Sequence, residues 1–218
     1  MVPSPYRSDG TQSRKLFPVA RWQPNASERL MLAALELFAE RGYENTTVIE
    51  IAERAGLTKS TFFRHFEDKR EVLFGGDAMH GLLVEGIDGA PEDATPLETV
   101  AEALDTVGRK AFTPARRAFS ARRRAVIAAN PELQEREALK GLGLTASMTD
   151  ALRRRGVPEL TACVAAELGA LALKIAYERW SERTNGEEFA AVARQTLGEI
   201  QAASTQCAPT DRRRRLLA

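Results

Sequence analysis

From Thr47 to Leu73 the chain reads TVIEIAERAGLTKSTFFRHFEDKREVL, a run that fits two short helices meeting at one glycine. Thr47 followed three residues later by Glu50 is a capping box, so a helix begins at Val48. Ile51, Ala52 and Ala55 give that helix a narrow apolar face. Gly56 stops it, because a residue without a side chain adopts the left-handed backbone of a helix end at little cost. Thr58 caps a second helix reaching about Phe66, with Leu57, Phe62 and Phe66 turned inward. Lys59, Ser60, Phe63 and Arg64 then form an outward, polar face. This is the helix-turn-helix pattern, whose second helix lies in the major groove of DNA.

The rest of the chain is also helical by periodicity. Asn25 and Glu28 open a first helix whose Leu30, Ala33, Ala34, Leu37 and Phe38 share one stripe. Asp68 and Glu71 open a fourth, read as continuous to about Gly86 with Gly75-Gly76 inside it. Thr95-Pro96-Leu97-Glu98 starts a fifth, Thr113-Pro114 a sixth and Asn130-Pro131 a seventh, each with proline at the first helical position. An eighth follows Gly156-Val157-Pro158 and runs to about Arg183; Asn185 and Glu188 cap a ninth, which fades after Ile200. No stretch alternates with period two, so the fold expected is all-α with about nine helices. The expected organisation is a flexible basic arm over 1–24, a DNA-binding domain over 25–72, a ligand-binding and dimerisation domain over 73–204, and a disordered basic tail over 205–218. The arm carries Arg7, Arg14, Lys15 and Arg21 against Asp9, and reads either as a leader of no specific role or as a DNA-backbone contact.

Composition excludes several classes. A net charge of +1 means that any DNA face arises from local clustering rather than total charge. No apolar run approaches bilayer length and the N-terminus has no apolar signal core, which points to a cytoplasmic protein without a membrane. Cys163 and Cys207 are expected as free thiols. His65 and His80 have no metal-ligand spacing with another His or Cys, and there is no phosphate loop or nucleophile elbow. The chain therefore reads as a non-enzyme without a cofactor.

DNA binding needs phosphate contacts for position and base-edge contacts for choice of sequence. Thr47 can offer its hydroxyl and nearby amides to a phosphate, and Thr58, Lys59, Ser60 and Phe63 occupy the first turns of the recognition helix. Arg116, Arg117, Arg122, Arg123 and Arg124 cannot all share one helix face; one or two can point into a pocket and pair with an anionic ligand. In the eighth helix Ala162, Ala165, Ala166, Gly169, Ala170 and Ala172 let another helix approach closely.

Thr47, Ile51, Ala52, Ala55, Gly56, Leu57, Thr58, Ser60, Phe63, His65, Phe66 and Lys69 stand at the spacing of the TetR-family motif T-x-x-x-I-A-x-x-A-G-V-S-x-G-x-x-Y-x-H-F-x-x-K-x-x-L, with Leu73 one residue past its final position, and residues 25 to 75 resemble that family's DNA-binding domain. Ser60 replaces the usual Gly and Phe63 the usual Tyr. The resemblance implies that His65 and Lys69 grip the DNA backbone, with Arg64 beside them. It also implies an effector pocket over about 96–148 drawing on Leu104, Phe112, Phe119, Arg123, Ile127, Met148 and, beyond it, Tyr177. It implies a homodimer through the last two helices on a palindromic, double-stranded operator, and a repressor released by a small-molecule effector. The run RRRAVIAANPELQER, with ALRRRGV and AYERW, is similar to the effector half of the actinobacterial mycofactocin-regulator branch, which implies a lipophilic or acyl-CoA-like effector. The alternative is a helical interaction module or small lyase on the same fold that does not bind DNA.

Overall fold

The computed structural model describes residues 25–75, 77–182 and 186–206, which form nine α-helices and two 3₁₀ turns with no strand among them. The helices are α1 (Ala26–Arg41), α2 (Val48–Arg54), α3 (Lys59–His65), α4 (Ala78–Asp88), α5 (Pro96–Lys110), α6 (Arg117–Ala128), α7 (Pro131–Arg154), α8 (Glu159–Ser181) and α9 (Phe189–Gln206). The expected arm (1–24), Gly76, Asn185 and the basic tail from Cys207 lie outside the described residues. α9 carries on past Ile200 to Gln206, so the expected boundary at 204/205 falls inside a helix.

Start signals in the sequence become caps. Thr47 and Thr95 each form a full capping box, with Glu50 and Glu98 respectively, and Asn25 accepts the Glu28 amide at 2.8 Å. The expected fourth helix, however, is broken. Asp68 Oδ1 accepts the amides of Arg70 and Glu71 at 2.7 and 3.0 Å and caps only a 3₁₀ turn, Glu71–Leu73. Gly75 then takes φ +67, a backbone that helices do not use, and α4 starts afresh at Ala78. Gly75 therefore stands before α4 rather than inside a continuous fourth helix.

Two apolar cores result. The larger, named the effector core only after the role expected for that half, gathers Leu83 and Ile87 of α4, Val100, Leu104 and Val107 of α5, Met148 and Leu152 of α7, the small face of α8, and Phe189 and Val192 of α9. The other, named the DNA-binding core after the expected role of residues 25–72, holds Leu30, Leu37 and Phe38 of α1, Ile51 and Phe62, and it also takes in Val126, Ile127 and Leu133 from the α6–α7 corner. The sequence boundary at 72/73 thus does not separate the two halves.

Ala162, Ala165, Ala166, Gly169 and Ala172 are buried within this chain's own bundle, so they serve close packing here rather than an outside partner. Gly169 shows how tight that is: a Cβ there would sit 2.5 Å from Val100 Cγ1. Their run also makes α8 long and apolar enough to cross a membrane by length and composition, contrary to the sequence expectation. A core helix passes the same test; α8 buries its small residues against α5, α7 and α9, while Leu160, Val164 and Leu171 on its other face stay exposed. Arg155 ties the α4–α5 corner to α7: its guanidinium donates to the carbonyls of Ile87 (3.1 Å), Ala90 (3.0 Å) and Pro91 (2.6 Å).

Candidate nucleic-acid interface

α2 ends in a tight turn held from three sides. The Gly56 amide donates to Glu53 O and the Leu57 amide to Ala52 O, both at 2.8 Å, closing the helix as a glycine C-terminal motif does. Gly56 has φ +66, and a Cβ there would come within 2.8 Å of Arg29 Nη2. That guanidinium, on α1, bonds the Ala55 carbonyl and reaches Gly56 O at 3.4 Å, so the turn is locked to α1.

α3 is anchored by Phe62, fully buried, whose ring meets Phe63 and Phe66 at centroid distances of 5.5 Å each. Lys59, Ser60, Phe63, Arg64 and His65 are all exposed, Phe63 at 49%. Positions 59, 60, 63 and 64 recur at one-turn spacing and share one face. α3 contains no acid, and the Lys59 ammonium lies 5.9 Å from the Phe63 ring. A rigid helix thus shows solvent two cations, a hydroxyl and a ring: donors for phosphate and base edges, and an apolar surface for a thymine methyl.

The threonines are already in use. Thr47 Oγ1 accepts the Glu50 amide at 3.2 Å and donates to Glu50 Oε2 at 2.8 Å; Thr58 Oγ1 accepts the Thr61 amide at 3.1 Å. Both hydroxyls are helix caps in the DNA-free chain, so a phosphate at Thr47 competes with Glu50. The Glu50 carboxyl is held below the usual range by the Thr47 amide first and the Thr47 hydroxyl next. A carboxylate with a depressed folded-state pKa stabilises above its unfolded pKa, and that support is lost as pH falls through the depressed value. Acid titration followed by the Thr47 amide NMR signal should therefore show the cap surviving the ordinary glutamate range and opening only below it. Opening within that range would contradict the assignment.

Lys69 does not point outward. Its Nζ donates to Tyr43 O (2.8 Å) and Thr46 O (3.1 Å) and lies 3.9 Å from the Tyr43 ring centroid, clamping the α1–α2 loop. In place of the backbone grip implied by resemblance, this geometry gives it a structural role. Lys69→Ala is expected to lower stability by roughly 1–3 kcal/mol, as loss of a charged, partly buried donor does. The slope of DNA affinity against salt should stay at the parent value. A slope flattened by about one unit, with unchanged stability, would restore the phosphate contact.

The seven expected ligand residues do not come together. Leu104 and Met148 are packed in the effector core, while Ile127 is buried in the DNA-binding core with Phe119 against it. Arg123 sits on the seam: Nε donates to Leu73 O at 2.7 Å, Nη1 pairs with Glu137 at 3.1 Å, and the guanidinium lies 4.9 and 5.9 Å from the Phe74 and Tyr177 rings. Phe112 and Tyr177 join Trp180 and Phe189 in a four-ring cluster. The expectation counted apolar residues along one stretch; the sharp α6–α7 corner sends that stretch into two cores. Trp180 and Phe189 went unassigned, although Trp180 follows Tyr177 at i+3 on one helix.

Arg116, in the turn before α6, and Arg117 and Arg124 of α6 also serve as staples, whereas Arg122 is exposed. Arg116 pairs with Glu28 at 3.4 Å, Arg117 bonds Glu187 O, and Arg124 donates to Glu178 O (2.9 Å) and Ser181 Oγ (2.7 Å) at the end of α8. Glu71, buried, pairs with Arg136 and with Lys140 (3.2 Å) of α7, binding the post-α3 turn to the effector half. Among the described residues no group of His, Cys, Asp and Glu is placed to hold a metal ion.

Residues 30–74 match the family model of bacterial regulatory proteins, tetR family. Over 77 residues the chain is 39% identical to the HTH-type transcriptional regulator TcmR of Streptomyces glaucescens, covering 35% of this chain and 34% of that protein. It is 43% identical over 68 residues to the HTH-type transcriptional activator FasR of Mycolicibacterium smegmatis, covering 31% of each. The chain thus spans about a third of the length of the curated relatives it matches. In fold it is similar to NalD of Pseudomonas aeruginosa, the secondary repressor of the MexAB-OprM multidrug efflux pump, with TM-score 0.52, 19% identity, and coverage of 81% of this chain and 95% of that one.

Proposed function

We propose that this chain, which belongs to the TetR family, is a transcriptional regulator that binds a palindromic DNA operator as a twofold dimer and is released by a small-molecule effector. The observation that carries the reading is the exposed α3 face of Lys59, Ser60, Phe63 and Arg64, presented without an acid by a turn locked to α1. Among the described residues a catalytic reading finds no comparable grouping, and the matched relatives are named as regulators.

Dimerisation is supported by what α8 leaves uncovered. Leu160, Val164 and Leu171 are 76, 51 and 45% exposed and share one face, opposite the buried small residues. Glu167 lies four residues before Leu171 and Lys174 three after it, so an antiparallel copy crossing near Leu171 sets each Glu167 close to the other's Lys174. An interface of this kind is self-complementary, as a twofold axis requires. α9 lies alongside α8, joined to it by Arg179 and Glu199 at 2.7 Å.

For the effector, a lipophilic molecule suits the effector half better than a strongly anionic one. Four of the five arginines that would form a cationic mouth, Arg116, Arg117, Arg123 and Arg124, bond carbonyls or carboxylates of this chain. Repression is proposed over activation as the sign, though one matched relative carries the name activator.

Fluorescence anisotropy with DNA from upstream of the chain's own gene tests the reading. Expected is saturable binding, at least about a thousandfold tighter than to random duplex at physiological salt, with strong salt dependence. Equal affinity for operator and random DNA would overturn it. Lys59→Ala and Ser60→Gly should change the preferred bases in a binding-site selection. Unchanged preferences for both would remove α3 from base readout.

A further inference from the structure

We propose that the aromatic cluster at the end of α8 is a binding slot for a planar aromatic ligand carrying a hydrogen-bond acceptor, with Trp180 as its floor and donor and Phe112 as the ring it displaces. This rests on the ligand-responsive reading above and specifies the ligand's chemistry.

Trp180 is fully buried, and among the described residues no acceptor partners its indole Nε1–H. Buried tryptophans normally place that N–H on an acceptor, since a desolvated donor left unmade is destabilising. A phenylalanine at 180 would fill the site without that penalty, so the unmet N–H itself points to an acceptor supplied from outside.

The cluster is also built to open. The Phe112 ring lies 5.0 Å from Tyr177, 5.6 Å from Trp180 and 4.6 Å from Phe189, touching all three. Tyr177 and Trp180 are carried by α8 and Phe189 by the first turn of α9, whereas Phe112 sits in the non-helical link between α5 and the turn at Pro114. Phe112 and Tyr177 are half-buried while Trp180 and Phe189 are closed off, so the cluster meets solvent on the Phe112 side. Swinging Phe112 out leaves a slot one ring thick between aromatic faces. A second aromatic ring refills those faces with the same offset and edge geometry, which an alkyl chain does not.

The Arg117 guanidinium stands 5.3 Å from the Trp180 ring with its Nη2 already bonded to Glu187 O, so the acceptor is met by the indole N–H itself, as an aromatic ketone or a single ring-borne carboxylate allows. The slot is connected to the DNA-binding half: Tyr177 lies under Arg123, whose Nε holds the Leu73 carbonyl at the end of the post-α3 turn.

The test uses the full chain with Trp22→Phe, so that Trp180 is the sole tryptophan and its ¹⁵N-labelled indole gives one NMR signal. The probes are 2-naphthoate, naphthalene without an acceptor, and decanoate as an aliphatic acid. Expected is a saturable downfield movement of the Trp180 indole proton with 2-naphthoate and none with decanoate. Phe112→Ala should tighten 2-naphthoate binding about tenfold, and Trp180→Phe should weaken it about tenfold, the size of one hydrogen bond. Three results overturn the proposal: a stationary indole signal at saturating 2-naphthoate, equal affinity of Trp180→Phe and parent, or Phe112→Ala that loses stability and gains no affinity. The first decides even where a variant fails to fold. DNA binding measured on the same samples separates the two readings. Release of DNA by decanoate with a stationary indole signal overturns the slot and leaves the regulator. An indole shift in a chain that binds no DNA does the reverse.

Discussion

Leu133→Ala is expected to destabilise the chain by about 3–5 kcal/mol and to weaken the DNA-binding half most, although residue 133 lies in α7. Leu133 is fully buried, together with Val126 and Ile127, in the core built by Leu30, Leu37, Phe38, Ile51 and Phe62. Just before it, the Glu132 carboxylate stands beside Tyr43, whose phenol is pushed up by burial first and then by that carboxylate. The α6–α7 corner thus supplies a wall of the helix-turn-helix domain. Removing three methyl-sized groups there leaves a cavity beneath α1 rather than in the effector core. Urea unfolding gives the magnitude, and native-state hydrogen exchange gives the place. Amides of α1 and α3 should lose protection more than those of α5 and α8. A loss under about 1 kcal/mol, or protection lost only in the effector half, would show that the corner is not part of this core.

How much of this was readable beforehand varies with the range of the interaction. Caps, turns and the recognition face are local: Thr47 with Glu50, Gly56 with its left-handed backbone, and Lys59, Ser60 and Phe63 all follow from spacings within one helical turn. Each appears in the structure where its spacing put it. Nothing local distinguishes an apolar residue that lines a pocket from one that crosses to another core, so Ile127 and Phe119 were grouped with Leu104 and Met148 and belong elsewhere. The same limit applies to long cations. Lys69 and the α6 arginines look free in sequence because the carbonyls they bond are far along the chain, Tyr43 from Lys69 and Leu73 from Arg123. The small stripe of α8 has two faces' worth of meaning, and only packing showed that the alanines point inward and Leu160, Val164 and Leu171 outward. The continuous fourth helix fails at Gly75, whose left-handed backbone outweighs the periodic pattern on either side.

Gly86→Ala should be the most damaging one-methyl addition in the effector half. Glycine-to-alanine inside a helix normally stabilises, by about 0.5–1 kcal/mol, through reduced freedom of the unfolded chain. Gly86, in α4, is where that rule reverses. A Cβ there would stand 2.4 Å from Ala103 Cα and 3.0 Å from both Ala103 N and Glu102 O, all backbone atoms of α5. Side chains turn away from an intruding methyl; a helix backbone does not. α4 and α5 would have to part along the seam that brings Leu83 and Ile87 against Val100, Ala103 and Leu104. Overpacking of a rigid core costs about 1–3 kcal/mol, and with backbone on the far side the upper end is expected. The same helix provides the control. Gly81 is exposed with nothing within 4 Å of its added Cβ, so Gly81→Ala should gain about 0.5–1 kcal/mol. The two variants differ only in what the methyl meets, and their melting temperatures should move in opposite directions. Because α4 follows Gly75 after the DNA-binding half, the Gly86 variant should also bind operator more weakly at temperatures where it remains folded. A Gly86→Ala chain as stable as the parent would mean that α4 and α5 do not approach so closely in solution.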